Sequence, residues 1–254
     1  MGGLKVILVP GSGSTSETFW HQEHAFPGVV SAVSLPGHPD GQVRETIPEY
    51  VRWLHDEYVP SQGWRHEDVI VGGNSLGAGI SLAYGLAYPE VPGLISLGGG
   101  ARLRVLFSTL ARIRRQLAAI GSGQPLPEQA QAAQDDGDGR ARPPEDVRQR
   151  QAEKRARMGP YPGLNDYLAC DRFDIMDRVH EIKAPTLIVV GTNDTQTPVL
   201  YSQYLHEKIP GSRLVVVEGA GHGGHGERPD VVNAAIAEFL ASVEAKRAAA
   251  AVPA

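Results

Sequence analysis

Ser75 lies in Gly73-Asn74-Ser75-Leu76-Gly77, a G-x-S-x-G placed directly after the apolar run Val69-Ile70-Val71 and before a helix-compatible run from Ala78 to Tyr88. A serine at such a strand–turn–helix junction can act as a nucleophile. The turn is sharp enough to strain its backbone, small residues at either end relieve the crowding, and the hydroxyl is left above the sheet. The pentapeptide alone is a weak signal, because small residues are common in turns; the flanking pattern gives it weight. A hydroxyl is a poor nucleophile near neutral pH. It needs a base within hydrogen-bond reach, and the base needs a group to orient it.

Both partners are sought where strands end. The run Thr186-Leu187-Ile188-Val189-Val190, after Pro185, reads as a buried parallel strand, and it runs into Gly191-Thr192-Asn193-Asp194-Thr195-Gln196-Thr197-Pro198. A carboxylate just past a strand's C-terminal end sits where α/β sheets place functional groups, so Asp194 is the candidate acid. An Asx-turn or a helix N-cap explains the same aspartate equally well. The next strand, Arg213 to Glu218, enters the loop Gly219-Ala220-Gly221-His222-Gly223-Gly224-His225, and a helix from about Asp230 to Ser242 follows. His222 is the candidate base, chosen for the Gly-His step nearest the strand end. His225 is expected to be a solvated loop residue.

The chain order Ser75, Asp194, His222, each after its own strand, is that of the α/β-hydrolase fold. From Leu4 to about Ala241 the chain resembles the α/β-hydrolase superfamily. The matching pieces are Val9-Pro10-Gly11-Ser12-Gly13, the pentapeptide around Ser75, residues 191–198, Gly219-Ala220-Gly221-His222 and Glu227-Arg228-Pro229; Leu35-Pro36-Gly37-His38 resembles the family's loop after its second core strand. The resemblance implies a mostly parallel central sheet with helices on both faces and an inserted helical lid. It also implies an oxyanion hole from two backbone N–H groups. One is that of Leu76, where the helix after the nucleophile begins and its dipole favours negative charge. The other, in the loop after the first strand, maps to Ser12. Family members carry His-Gly in that loop, whereas this chain has Pro10-Gly11, so the histidine's bracing is lost and the fixed φ of Pro10 is its replacement.

The activity this implies is cleavage of a small-molecule carboxylic ester through an acyl-enzyme on Ser75, with no cofactor. The elbow also looks like that of C–C bond hydrolases, but those carry an aromatic residue right after the histidine, where this chain has Gly223. Lactonases and perhydrolases use the same residues, and a non-catalytic ligand-binding protein on this fold is the alternative of another class. A serine at position 75 argues against the branches that need a carboxylate nucleophile.

At 254 residues one α/β domain with an insert is expected. A net charge of −5 gives no case for nucleic-acid binding. No apolar run is long enough to span a bilayer, the first strand begins almost at Met1 with no room for a signal peptide, and the single cysteine, Cys170, excludes an internal disulfide. A cytoplasmic protein is expected. His222, His225 and Glu227 invite a test for metal, but no second ligand group with recognised spacing accompanies them. Gly11-Ser12-Gly13 lacks the third glycine of a dinucleotide loop.

The core is expected in two parts, 1–100 and 174–245, around a helical lid at 101–173, with 246–254 a frayed tail. Within the lid, Ala101 to Ile120 reads as an arginine-rich amphipathic helix with Leu103, Leu106, Leu110, Ile113 and Leu117 on one face. Residues 121–144 read as a flexible linker, and Glu145 to Met158 as a charged helix. Substrate-pocket candidates are Phe19, Trp20, Asn74, Leu164, Tyr167 and Leu168, each open to the plainer reading of core or lid packing. The lid's apolar face fits packing on the core or on a second subunit, so a homodimer stays open.

Overall fold

The protein is described by a computed structural model covering residues 3–124 and 142–250. Six strands, β1 (Lys5–Val9), β2 (Val30–Ala32), β3 (Val69–Asn74), β4 (Leu94–Leu97), β5 (Thr186–Gly191) and β6 (Arg213–Val217), form one sheet in the order β2-β1-β3-β4-β5-β6. Every neighbouring pair is parallel. Strands β3, β4 and β5 are buried at every residue, which is why they are continuous apolar runs rather than alternating ones. The two-residue period of a strand sends Ile7 and Val9 into the core on one face and Val6 and Leu8 into the core on the other.

The helices are α1 (Trp20–Ala25), α2 (Ile47–Trp53), α3 (Val59–Ser61), α4 (Leu76–Ala87), α5 (Phe107–Gly121), α6 (Glu145–Met158), α7 (Tyr161–Arg172), α8 (Val199–Lys208), α9 (Gly224–Glu227) and α10 (Pro229–Ala250). Side chains of α2, α4 and α8, such as Tyr50, Ile80 and Leu205, fill the core on one face. Val232, Ile236 and Phe239 of α10 fill the other together with Phe19. Helix α2 starts at a reciprocal cap: Thr46 accepts the Glu49 N–H while Glu49 accepts the Thr46 N–H. No helix among the described residues is long and apolar enough to cross a membrane.

Helices α5 to α7 are inserted between β4 and β5. The entry to this insert is extended, not helical as expected from residue 101. Arg102 and Asp174 form an antiparallel bridge, with the Ile175 N–H donating to the Ala101 carbonyl at 2.8 Å, and the two side chains are ion-paired. The Ala101 carbonyl and the N–H groups of Leu103 and Val105 are taken by Ile175, Phe173 and Asp171 at the exit of the insert, so the helix starts only at Phe107. At the other end of the chain the expected frayed tail from Lys246 continues α10 as far as Ala250, as its run of alanines, the best helix formers, favours. The linker expected at 121–144 falls mostly on residues 125–141, outside the described residues.

The tightest constraint in the sheet is the turn from β3 into α4. A Cβ on Gly77 would lie 1.9 Å from the Val9 carbonyl oxygen, and one on Gly73 would lie 2.3 Å from the same atom. Both positions therefore exclude any side chain, and the obstacle is backbone that cannot rotate away. Gly77→Ala is expected to cost at least about 3 kcal/mol, beyond the usual overpacking penalty, because β1 and α4 must separate. Urea unfolding of the variant beside the wild type measures it.

Candidate active site

The turn places Ser75 at φ 55°, ψ −111°, the one non-glycine residue with positive φ among those described. Such a conformation costs about 1–3 kcal/mol and persists only where the surroundings impose it. Here they do: the Ser75 N–H donates to the Leu97 carbonyl on β4, and the Gly79 N–H to the Ser75 carbonyl. Leu76 opens α4, so its N–H is among the donors an α-helix leaves without an internal partner. Gly11 lies against the same turn: a Cβ there would be 3.2 Å from Asn74 Oδ1 and 3.4 Å from Ser75 Cβ. The loop that carries Ser12 is thus seated on the turn that carries Ser75.

The loops after β5 and β6 bring Asp194 and His222 together, with His222 Nδ1 2.8 Å from Asp194 Oδ2. Asp194 Oδ1 accepts the N–H groups of Gln196 and Thr197 at 2.9 and 2.8 Å, and Oδ2 also accepts the Thr197 hydroxyl at 2.8 Å. Burial by itself would raise the Asp194 pKa. The hydrogen bond and charge of His222 and the two Thr197 donors outweigh it and hold the carboxyl below its ordinary range. An ionised carboxylate only accepts, so Nδ1 of His222 carries its proton toward Asp194 and Nε2 is left to accept one. Gly98, at φ +53°, makes room for this: a Cβ there would stand 3.1 Å from Asp194 Oδ2 and 3.3 Å from both Asn74 Nδ2 and His222 Nδ1.

The backbone of the histidine loop is held from two sides. Asn74 Nδ2 donates to the carbonyls of His222 and Leu97, both at 3.1 Å, and Glu227 accepts the Gly221 N–H at 2.7 Å. Asn74 therefore ties the serine turn to the histidine loop, besides bordering a cavity. His225, expected in solvent, is buried under Phe19 with ring centroids 4.7 Å apart. Its burial pushes the imidazole pKa down to about 4. The short helix α9, unforeseen in the glycine-rich loop, turns it inward.

A cavity of about 530 Å³ opens over Ser75 and is walled by Ser12, Leu103, Arg112, Tyr167 and Tyr201 among others. Of the residues proposed for its walls, Tyr167 is there. Leu164 is buried and Leu168 half-buried, but neither reaches this wall. Phe19 is fully buried in the core, and Trp20 stacks on His24 with centroids 4.9 Å apart. Cys170 lies at the cavity edge, its Sγ 3.6 Å from the Ser12 hydroxyl, and burial raises the thiol pKa to about 12, so it is not a nucleophile.

Sequence reasoning missed the device that fixes the Ser12 loop. Asp166, fully buried on α7, accepts the Gly13 N–H at 2.9 Å and His38 Nε2 at 2.9 Å on one oxygen, and the Tyr50 hydroxyl at 3.1 Å on the other. The other nitrogen of His38 faces the Pro36 carbonyl at 3.2 Å. Both ring nitrogens thus meet acceptors, which favours the imidazolium. Burial would lower the His38 pKa, but the hydrogen bond and charge of Asp166 more than offset it and leave it raised. An ion pair from the insert thus braces the loop in which Pro10 replaces the family's histidine.

Among known proteins, the model for the alpha/beta hydrolase family matches residues 6–235, and the chain belongs to that family. It is 27% identical over 258 residues to the "Putative carbamate hydrolase RutD" of Escherichia coli O103:H2, an alignment covering 96% of this chain and 94% of that one. It is similar to the structure of a thermophilic esterase at 27% identity and a TM-score of 0.68, over 94% of this chain and 90% of that one. The enol-lactonase of Burkholderia xenovorans LB400 shares the fold at 18% identity, with a TM-score of 0.72 over 95% and 92% of the two chains.

Asp166→Asn should cost about 3–5 kcal/mol, because an amide group must turn a donor toward either His38 and Gly13 or Tyr50 and leaves His38 without its counter-charge; urea unfolding at pH 6 reads it. His225 generates a second expectation. Its folded pKa lies below the ordinary 6.5, so the unfolded chain binds the extra proton between pH 6.5 and about 4. Its contribution to stability is complete above pH 6.5 and is lost as pH falls through that window, by roughly 3 kcal/mol in all. The stability difference between wild type and His225→Asn, followed by denaturation from pH 7 to 4, should shrink by that amount.

Proposed function

We propose that this hydrolase cleaves carboxylic esters through an acyl-enzyme on Ser75. The observation that carries the reading is Ser75 held at φ 55° in the wall of a cavity of about 530 Å³, its neighbour Asn74 hydrogen-bonded to the loop of a histidine that a buried, ionised aspartate orients. In the proposed cycle Ser75 Oγ attacks the ester carbonyl while Nε2 of His222 takes its proton. Asp194 holds the imidazole in the tautomer that can do this and stabilises the imidazolium formed. The N–H groups of Ser12 and Leu76 receive the charge that develops on the carbonyl oxygen. His222 then protonates the leaving alkoxide, and a water repeats the sequence on the acyl-serine. In this reading the inserted helices act as a lid, supplying walls such as Tyr167 and Arg112 and excluding water while the acyl group is held.

A thermophilic esterase among the similar structures supports the ester. The alignment with a protein named for carbamate hydrolysis, over nearly the whole length of both chains, favours a second reading, a carbamate. The same residues would form a carbamoyl-serine and release the alcohol.

Steady-state rates on p-nitrophenyl esters of graded acyl length, and on a p-nitrophenyl carbamate, test both. Ser75→Ala is expected to lose at least about 10³-fold in kcat with an unchanged melting profile, and Asp194→Asn about 10⁴-fold through the wrong imidazole tautomer. Substantial turnover by Ser75→Ala would remove the acyl-enzyme from consideration.

A further inference from the structure

A second cavity, of about 570 Å³, is bordered by His222, Asn74, Thr195 and Gln196. Thr195 and Gln196 also border the cavity over Ser75, so the two cavities adjoin the same loop. Two carboxylates line the second cavity, and each is engaged. Glu17 is ion-paired with Lys154 at 2.5 Å, and Glu227 accepts the Gly221 N–H. Arg148 in the same wall is paired with Glu145.

Arg155 stands apart from these. It lines the same cavity from α6, it is half-buried, and its buried Nε has no hydrogen-bond partner among the described residues. No carboxylate of the described residues pairs with it, and burial lowers its pKa. With its stem held in the cavity wall, a guanidinium that has no carboxylate beside it among the described residues is available to an anion entering from solvent. Helix α6 is otherwise charged on nearly every face, with Val147 its only fully buried side chain, so packing demands no arginine at this position.

We propose that Arg155 is a specificity residue that receives a carboxylate carried on the alcohol part of the substrate. The side of the molecule follows from the chemistry of the proposed cycle, on which this inference rests. The departing alkoxide takes its proton from His222, so the leaving part lies on the His222 side, in the cavity Arg155 lines. The acyl part stays with Ser75, Ser12 and Tyr167 in the other. A planar guanidinium fork matches a carboxylate in two parallel hydrogen bonds.

The test compares 4-acetoxybenzoate with 4-acetoxybenzamide, which release the same acetyl group from phenols differing in charge. The wild type is expected to favour the acid by about tenfold or more in kcat/KM, carried mainly by KM. Arg155→Gln should bring the two substrates to parity while leaving the amide's constants within about twofold, and Arg155→Lys should keep part of the preference. Equal rates in the wild type, a preference that survives in Arg155→Gln, or an equal fall on both substrates would overturn the assignment.

Calorimetric binding of the same two compounds to Ser75→Ala, with and without Arg155→Gln, reads the subsite without turnover, and equal affinities there also overturn it. Failure of the hydrolase reading looks different. Fluorophosphonate would then leave Ser75 of the wild type unlabelled, whatever calorimetry reports for Arg155.

Discussion

The approach of α4 to β1 governs the rest of the molecule. A carbonyl oxygen of β1, that of Val9, sits where the Cβ of residue 77 would be, so sheet and helix meet through backbone alone. That contact forces the chain to reverse within a few residues between β3 and α4, and the reversal pushes Ser75 into a conformation few serines adopt. It also leaves the first N–H of α4 pointing out of the helix beside the serine, and it sets Gly11 against the same turn. Ser75, helix N-terminus and Ser12 loop are therefore positioned by one steric constraint. The hydrogen bonds around Asp194 and His222 fix the imidazole on a loop that Asn74 ties to the same turn.

The parts legible in the sequence were those whose signal is local. A strand is a run of apolar residues, its end is marked by glycine, aspartate or asparagine, and the fold puts its chemistry at such ends. Ser75, Asp194 and His222 each carried that mark, and the structure brings Asp194 and His222 into a hydrogen bond. The sheet was legible for the same reason, since its central strands are unbroken apolar runs too short for buried helices and bounded by turn residues.

What escaped depends on residues brought together from distant segments. Asp166, His38 and Tyr50 lie on α7, a loop and α2, and nothing in their neighbourhoods announces a shared carboxylate. His225 reads as a loop histidine because glycines surround it; only the packing of α9 against Phe19 shows it buried. The start of α5 was misplaced because Leu103 and Leu106 continue the helical period, while backbone groups of Ala101, Leu103 and Val105 are claimed by the exit of the insert. Periodicity reports which face a side chain prefers and is blind to a competing strand partner. Phe19 and Trp20 illustrate the same limit: aromatic residues near a site are as useful to the core as to a ligand.

The pairing of Leu94 with Thr186 carries a consequence for how the protein is made. Strand β5 is the only neighbour on that side of β4, and the whole insert is synthesised between them. While it emerges, β4 keeps one edge unpaired, and that edge belongs to Leu94-Ile95-Ser96-Leu97, an apolar segment with no charge or proline to discourage foreign strands. Each new strand adds to an edge already formed, so the sheet can assemble in chain order, but closing the long connection before β5 carries an entropic penalty that neighbouring contacts repay only afterwards. The bridge between Arg102 and Asp174 shortens that search, because once the two ends of the insert meet, β5 is delivered close to the waiting edge. Nascent chains are therefore most exposed to aggregation in the interval between β4 and β5, and the bridge at the base of the insert helps to close that interval.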